Sequence, residues 1–375
     1  GGGLENRYNK LRLSHTGKGS TGLRRGPPAM NSESPDGCAL PASASLLEEA
    51  KATWRQAVAA YQSPQLRRSL WQLANSVLPF LALWYLAYRL LAVSFWLALP
   101  VQALAGGFLI RTFIIFHDCG HGSFFASRKA NDIVGFLTGV LTLTPYQDWR
   151  DEHARHHATA GDLDRRGLGD VWTMTVEEYR AASFWQRLGY RLYRNPLVML
   201  GLGPVYVFAI TQRFPRSRSG PRGRRSVLLT DLALVAVVGT LFATIGVGTT
   251  LLVHLPILAI GGAAGIWLFY VQHQFEGVYW EHRDQRDYVA VAMQGSSFYA
   301  LPRILQWFSG NIGFHHIHHL SPSIPNYRLP ECHREQTLFQ QVDRLTLRQS
   351  LRSLRLRLYD EDSHRLVGFQ ALAAR

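Results

Sequence analysis

Cysteine is scarce in this chain: three residues, Cys38, Cys119 and Cys332, in 375. They are too few and too scattered for a disulfide framework or a thiolate metal site, and a reducing cytoplasmic setting is the natural reading. Acidic residues are also short, 26 against 40 Lys and Arg, which leaves a formal charge of +14. The basic residues do not gather into one face, as on a soluble nucleic-acid binder. They lie between apolar blocks, so no nucleic-acid partner is expected. No apolar stretch follows the basic N-terminal residues in the manner of a signal peptide. Residues Gly1 to Ala29 lack any apolar period. Two readings of them stand: a non-native extension upstream of a natural start at Met30, or a native disordered basic tail.

Apolar residues are abundant, at 47% of the chain with 10 Trp, 15 Tyr and 19 Phe. Four runs, Ser69 to Leu91, Ala92 to Phe116, Val227 to Thr249 and Leu251 to Gln272, approach the ~20 residues that a hydrocarbon core requires. They read as two helical hairpins. Arg67 and Arg68 precede the first hairpin, and Arg213, Arg216, Arg218, Arg222, Arg224 and Arg225 precede the second. The positive-inside rule places both flanks in the cytoplasm, and an even number of crossings keeps the segments outside the hairpins on that side. Two shorter stretches, Ile133 to Pro145 and Pro196 to Ile210, fit interfacial or re-entrant segments better than spans. The Gly261-x-x-x-Gly265 spacing is that of a close helix approach or of simple helix flexibility.

The expected organisation is a disordered tail over 1–45, a membrane domain over 46–335 whose first helix covers Ser45 to Tyr61, and an amphipathic segment over 336–375. In the last of these, Leu347, Leu351, Leu354 and Leu358 form one helical stripe and Arg344, Arg348, Arg352 and Arg355 another. Such a helix, from Val342 to Tyr359, would lie on an anionic leaflet or pack against the rest of the chain.

Histidine carries the chemistry. Three clusters flank the apolar runs: His117-Asp-Cys-Gly-His121, His153-Ala-Arg-His156-His157 and His315-His316-Ile-His318-His319. With 15 His in 375 residues, the pattern H-x-x-H-H begins at a given position by chance about once in 15,000. It occurs twice. Residues at i, i+3 and i+4 share one helical face, so their imidazoles can reach one metal or two adjacent metals. His316 projects about 100° from His315 and is expected to support a ligand or face a substrate. Asp118, Asp151, Glu152 and Glu276 are candidates to accept the second ring N–H of a ligating imidazole. Cys119 points off the His117/His121 face and is expected to pack. His15, His254, His282, His333 and His364 lack partners at ligand spacing and are expected to bind no metal.

The order of box, box, hairpin, box resembles the membrane fatty acid desaturase family, and within it the bacterial acyl-lipid desaturases. The residues that carry the likeness are HDCGH, HARHH, Gln272-His273-Gln274-Phe275-Glu276 and the stretch GNIGFHHIHHLSPSIPNY from Gly310 to Tyr327. It covers roughly Leu70 to His333. The resemblance implies an all-α integral membrane fold, two transmembrane hairpins beneath a cytoplasmic helical cap that carries the boxes. It also implies two irons, O2 as co-substrate, and as ligands and catalytic residues His117, His121, His153, His156, His157, His273, His315, His318 and His319. Where related enzymes place an Asn a turn before the lone histidine, this chain has Phe269; Gln272 or Gln274 is the expected substitute. The stretch Gly169 to Thr173 resembles the family's headgroup-side loop.

The function implied is desaturation of a fatty acyl chain, esterified in a membrane lipid of the bacterial inner membrane, with the active site and both termini cytoplasmic. The acyl chain would run past the metals in a tunnel that Phe80, Trp84, Tyr85, Trp96 and Phe108 help to line; core packing or lipid contact explains those aromatics equally well. Arg150, Arg155, Arg165 and Arg166 are candidates to steer anionic lipid or an acidic electron carrier. Related membrane hydroxylases and ketolases share the boxes and give a second reading, with a lipid or carotenoid substrate. A histidine-rich metal transporter is a third, from another class; it would place its ligands along the spans, which here hold few ionisable groups, such as Arg89, Arg111 and His254. No haem-binding His-Pro-Gly-Gly, no clustered Cys and no Gly-x-Gly-x-x-Gly turn between strand and helix is present. About 55 residues follow the third box. A separate ferredoxin- or flavodoxin-like donor is therefore the expected source of electrons.

Overall fold

The computed structural model describes residues 42–167 and 169–373. The expected N-terminal tail, with its two readings and His15, lies outside them apart from its last few residues. Helix α1 (Ala42–Ala59) opens the described chain and is followed by α2 (Leu66–Leu91) and α3 (Phe95–His121). The turn between α2 and α3 is set by Ser94, whose hydroxyl accepts from the Trp96 backbone N–H and satisfies a free donor of the first turn. At the far end of α3, Gly122 closes the helix at φ 72°, a conformation that a side chain would strain. The second hairpin is α8 (Pro221–Ile245) and α9 (Val247–His273), reversed at Gly246. These four helices are long and apolar enough to cross a membrane.

Between the hairpins come α4 (Arg128–Leu141), α5 (Tyr146–Thr159), α6 (Val176–Ala181) and α7 (Phe184–Tyr193). The stretch Val198–Arg213 follows α7 after a 60° bend and is wound in irregular turns. Both short apolar stretches singled out in the sequence thus belong to broken or short elements. A bent pair of this kind suits a segment that dips rather than crosses.

Glycine governs how closely the hairpins approach. A Cβ on Gly261 would stand 3.0 Å from the Gly106 carbonyl oxygen and 3.3 Å from its Cα, so α3 and α9 meet backbone to backbone at that point. Gly262 is pressed against Pro204 and Phe208 in the same way. Gly265 meets nothing within 4 Å, so the close approach rests on Gly261 and Gly262 and not on the i, i+4 spacing read from the sequence.

After α9 the chain forms α10 (Tyr288–Met293), strand β2 (Phe298–Ala300), α11 (Arg303–Phe308), α12 (His315–Leu320) and α13 (Leu329–Glu335). One buried cluster joins α1 to this region through Ala50, Val58, Tyr61, Ile317, Leu320, Ile324 and Phe339. The helix expected over Val342 to Tyr359 is reduced to one α-helical turn, Leu347–Ser350, and a 3-10 segment, Leu351–Arg355, with strands on either side. Strand β3 (Arg344–Thr346) pairs in parallel with β2, and β4 (Leu358–Asp360) lies between β1 (Met174–Thr175) and β5 (Arg365–Val367). The free edges of β1 and β2 outcompete the helical period, because Leu358 and Tyr359 become fully buried between strands while Leu347 and Leu351 stay exposed.

Candidate metal centre

The ends of α3 and α9, the middle of α5 and the whole of α12 converge, bringing together the nine histidines singled out in the sequence. They fall into two groups. His117, His121, His153, His157 and His318 form one, and His156, His273, His315 and His319 the other, the candidate ring nitrogens of each lying within 4.8 Å of one another. Helix periodicity explains the division. Pairs at i, i+4 stay together (117 with 121, 153 with 157, 315 with 319), whereas the i+3 residue of each double box turns to the other group. Each H-x-x-H-H box therefore serves both groups, and His157 stacks on His319 across the boundary at a centroid distance of 4.2 Å.

The spacing within the groups fits metal ions. Nε2 atoms face each other at 3.0 Å in His153/His117, 3.2 Å in His157/His153 and 3.2 Å in His318/His157. The second group repeats this at 3.1 Å for His156/His273 and 2.9 Å for His315/His273. Adjacent ligands of an octahedral ion with metal–nitrogen bonds of about 2.1 Å stand about 3.0 Å apart. Proton sharing cannot satisfy every facing nitrogen, and the buried Nε2 atoms of His121 and His319 have no hydrogen-bond partner. Burial and neighbouring imidazoles hold His153, His157, His315, His318 and His319 well below the ordinary histidine value, and His156 is lowered to about 3. These rings are neutral at physiological pH, the form that ligates metal.

Of the four candidate carboxylates, Asp118 is the one that meets a ring of the cluster. His117 Nδ1 lies 3.1 Å from Asp118 Oδ1. The other oxygen of Asp118 accepts from the Asn326 backbone N–H at 2.7 Å and from its side-chain amide at 2.8 Å, while Gln72 Nε2 donates to Asn326 Oδ1 at 2.8 Å. The chain Gln72–Asn326–Asp118–His117 fixes the ring so that Nε2 faces the group. Sequence reasoning passed over Gln72 and Asn326, whose only signal was the place of Asn326 in the family-like stretch. Glu152 pairs with Arg155, and Asp151 and Glu276 are exposed. Replacing Asp118 with Ala is expected to lower metal affinity about 10–100-fold, read by competition with a chelator. Unchanged affinity would remove Asp118 from the site.

The remaining expectations divide. Cys119 packs among Ile115, Phe116, Phe124 and Tyr146, as read. His316 is fully buried against Phe298, His333 and Phe339, away from both groups, so it fills the core rather than supporting a ligand or facing a substrate. Among the described residues, His254, His282, His333 and His364 join neither group. Phe269 packs on His156 and His273, and Gln274 is taken up by Arg194 and Thr173. Gln272 donates to the Ile312 carbonyl and borders the cavity described next. The four arginines expected to steer ligands are each paired with a carboxylate: Arg150 with Asp132, Arg155 with Glu152, Arg165 with Asp162 and Arg166 with Glu178. Their charge is largely spent within the protein.

A cavity of about 290 Å³ leads to the histidines. His117, His153 and His315, drawn from both groups, border it; Glu152, Gln212 and Arg216 are polar residues of its wall. Thr142 and Gln272 also border it, and most of the remaining wall is apolar, with Leu109, Ile110 and Phe113 from α3, Leu258 and Ile266 from α9, and Phe208 from the bent segment. The aromatics proposed as tunnel lining lie elsewhere. Phe80, Trp84 and Phe108 fill the α2/α3/α9 interface, while Tyr85 and Trp96 point outward. Gly169 borders the cavity at φ 68°, where a Cβ would press on the Glu152 carbonyl and the His156 side chain, so the loop after the second box can lie directly on α5.

A membrane helical bundle with two buried histidine groups at one end, opening on an apolar cavity, is a membrane metalloenzyme of lipid chemistry by fold and site. The family model for "Fatty acid desaturase" matches residues 94–348, and the chain belongs to that family. It is 51% identical over 315 residues to a fatty acid desaturase of Bacillus subtilis (strain 168), covering 84% of this chain and 90% of the relative. It is 28% identical over 254 residues to an sn-1 oleoyl-lipid 12-desaturase of Synechocystis, covering 64% and 68%. To an sn-1 acyl-lipid omega-3 desaturase (ferredoxin) of the same organism it is 28% identical over 253 residues, covering 62% and 66%. The chain is thus a desaturase-family oxidoreductase. The transporter reading loses its ground, because the ligand-type residues gather at one end of the spans rather than along them.

Proposed function

We propose that the protein introduces a double bond into a fatty acyl chain esterified in a membrane lipid, using O2 and two irons held by the nine histidines. The observation that carries this reading is the pair of neutral imidazole groups sharing the wall of an apolar cavity. Iron at these positions would supply O2 activation and hydrogen abstraction from an unactivated CH2. The protein's own task is placement. Leu109, Ile110, Phe113, Leu258, Ile266 and Phe208 exclude water and hold the acyl chain, while His117, His153 and His315 border its reacting carbons. The hydrogen-bond chain behind His117 keeps that ring fixed as the chain enters. The Synechocystis relatives, named for action on lipid-bound acyl chains, support an esterified substrate.

Membrane orientation follows from charge. The start of α2 with Arg67 and Arg68, and the start of α8 with its arginines, lie at the end of the bundle where α3 and α9 deliver their histidines. The positive-inside rule supports an inner-membrane enzyme with a cytoplasmic site. Expression in a bacterium lacking unsaturated lipids, followed by mass spectrometry of its lipids, tests the reaction. A new acyl species two mass units lighter is the expected result; one gaining oxygen would replace desaturation with hydroxylation, and no new species would reject the reading.

A further inference from the structure

Four glycines border the cavity: Gly169, Gly261, Gly262 and Gly265. The first three are there for backbone reasons, since each would drive a Cβ into a neighbour at 3.1 Å or less. Gly265 differs. It sits in regular α9, its φ is ordinary, and among the described residues nothing lies within 4 Å of where its Cβ would be. Gly is a poorer helix former than Ala in a helix interior, and no packing contact of Gly265 offsets that cost. What an added side chain would occupy is the free volume of the cavity.

We infer that Gly265 is the constriction point of the acyl site, the position whose missing side chain lets the chain's distal end pass on toward Gly262, Gly261 and Leu258 and so sets which chain lengths fit. This rests on the desaturase reading above. The cavity's polarity orients the chain. Glu152, Gln212 and Arg216 come from α5 and the segment leading to α8, and Gln272 lies beside His273 at the histidine end of α9, while Leu258, Gly261, Gly262 and Ile266 make the rest of the α9 wall apolar. The ester end belongs with the polar residues and the methyl end along α9. Gly265 precedes His273 by eight positions, or about 12 Å along the helix. An extended chain advances roughly 1.2 Å per bond, as in a polypeptide, so about ten carbons separate the histidines from the point where the chain passes Gly265, and a side chain there would cut off the space beyond it.

The test compares wild type, Gly265→Ala and Gly265→Leu in vesicles containing equal amounts of phosphatidylglycerol with 14-, 16- or 18-carbon saturated chains, with electrons supplied by an added carrier. Discrimination of about tenfold is within reach of a pocket that loses a few methylenes of depth. The Leu variant is expected to raise the ratio of 14- to 18-carbon turnover about tenfold, with the Ala variant between it and wild type, while the ratio of metal to protein stays at the wild-type value. An unchanged ratio in a folded, metal-loaded Leu variant overturns the inference and leaves the desaturase reading standing. If the Leu variant fails to fold, the Ala variant decides by the same ratio, shifted or not. Failure of wild type itself to make any unsaturated product overturns the parent reading instead.

Discussion

Replacing His121, His157 or His318 with Ala is expected to abolish turnover and to lower bound iron below the two ions per chain expected of the native protein. All three belong to the same buried group, and each removes a nitrogen that no neighbour can replace. His318 Nε2 stands 3.2 Å from His157 Nε2, so its loss opens a gap on the coordination edge. His121 offers a buried Nε2 with no other partner. Controls lie close by in sequence type: His282 reaches Asp164 at 3.1 Å on the surface, and His254 hydrogen-bonds the Thr250 carbonyl within α9. Alanine at either should leave metal content unchanged. Metal analysis of purified variants, alongside lipid mass spectrometry, gives both readouts. Retained activity with zinc in place of iron, or with almost no metal, would refute the assignment.

The histidine groups were legible because their residue type is rare and their spacing is local. Three positions on one helical turn are fixed by helix geometry alone, whatever the rest of the chain does. Which rings gather into which group was not legible, since the exchange of the i+3 histidines depends on how α5 and α12 face each other. The four spans were read correctly for a similar reason, because a continuous apolar run must satisfy its own backbone as a helix. Reasoning from period failed at Val342 to Tyr359. There the leucine stripe satisfied the helical template, but β1 and β2 offered strand edges that only the folded chain brings near. The cavity wall was misjudged for a related reason. Aromatic residues on α2 and α3 looked suited to a tunnel, yet size makes them good filler between helices, and the opening lies where glycines keep α9 slim.

Charge pairing also altered the reading of the surface. Arginines close to the second box appear in the sequence as an excess of positive charge, but carboxylates distant in sequence, Asp132 and Glu178 among them, neutralise two of them after folding. Among the described residues, Arg218, Arg222 and Arg225 have no carboxylate partner, and all three are exposed before or at the start of α8. These three are better placed to meet an acidic macromolecule than any residue near the cavity, because their charge is not already spent.

Purified protein given lipid, O2 and NAD(P)H alone is expected to make no unsaturated product, and to begin turnover when a reduced ferredoxin- or flavodoxin-like carrier is added. The electron count requires an outside reductant, and NAD(P)H delivers its two electrons as hydride rather than as the single electrons that metal centres accept. Converting CH2–CH2 to CH=CH takes two electrons from the lipid, whereas reducing O2 to two waters takes four, so two more must arrive from another source. The sequence holds no clustered cysteines for an iron–sulfur centre, and its two buried cysteines lie on α3 and α13. Glutamate at Arg218, Arg222 and Arg225 together should then raise the apparent KM for the carrier while leaving bound iron unchanged. The native KM should itself rise with salt, since ~0.15 M salt screens exposed charges beyond about 8 Å. A carrier KM that ignores both salt and the triple substitution would move the docking surface elsewhere. Turnover with NAD(P)H and no carrier at all would overturn the requirement for a separate donor.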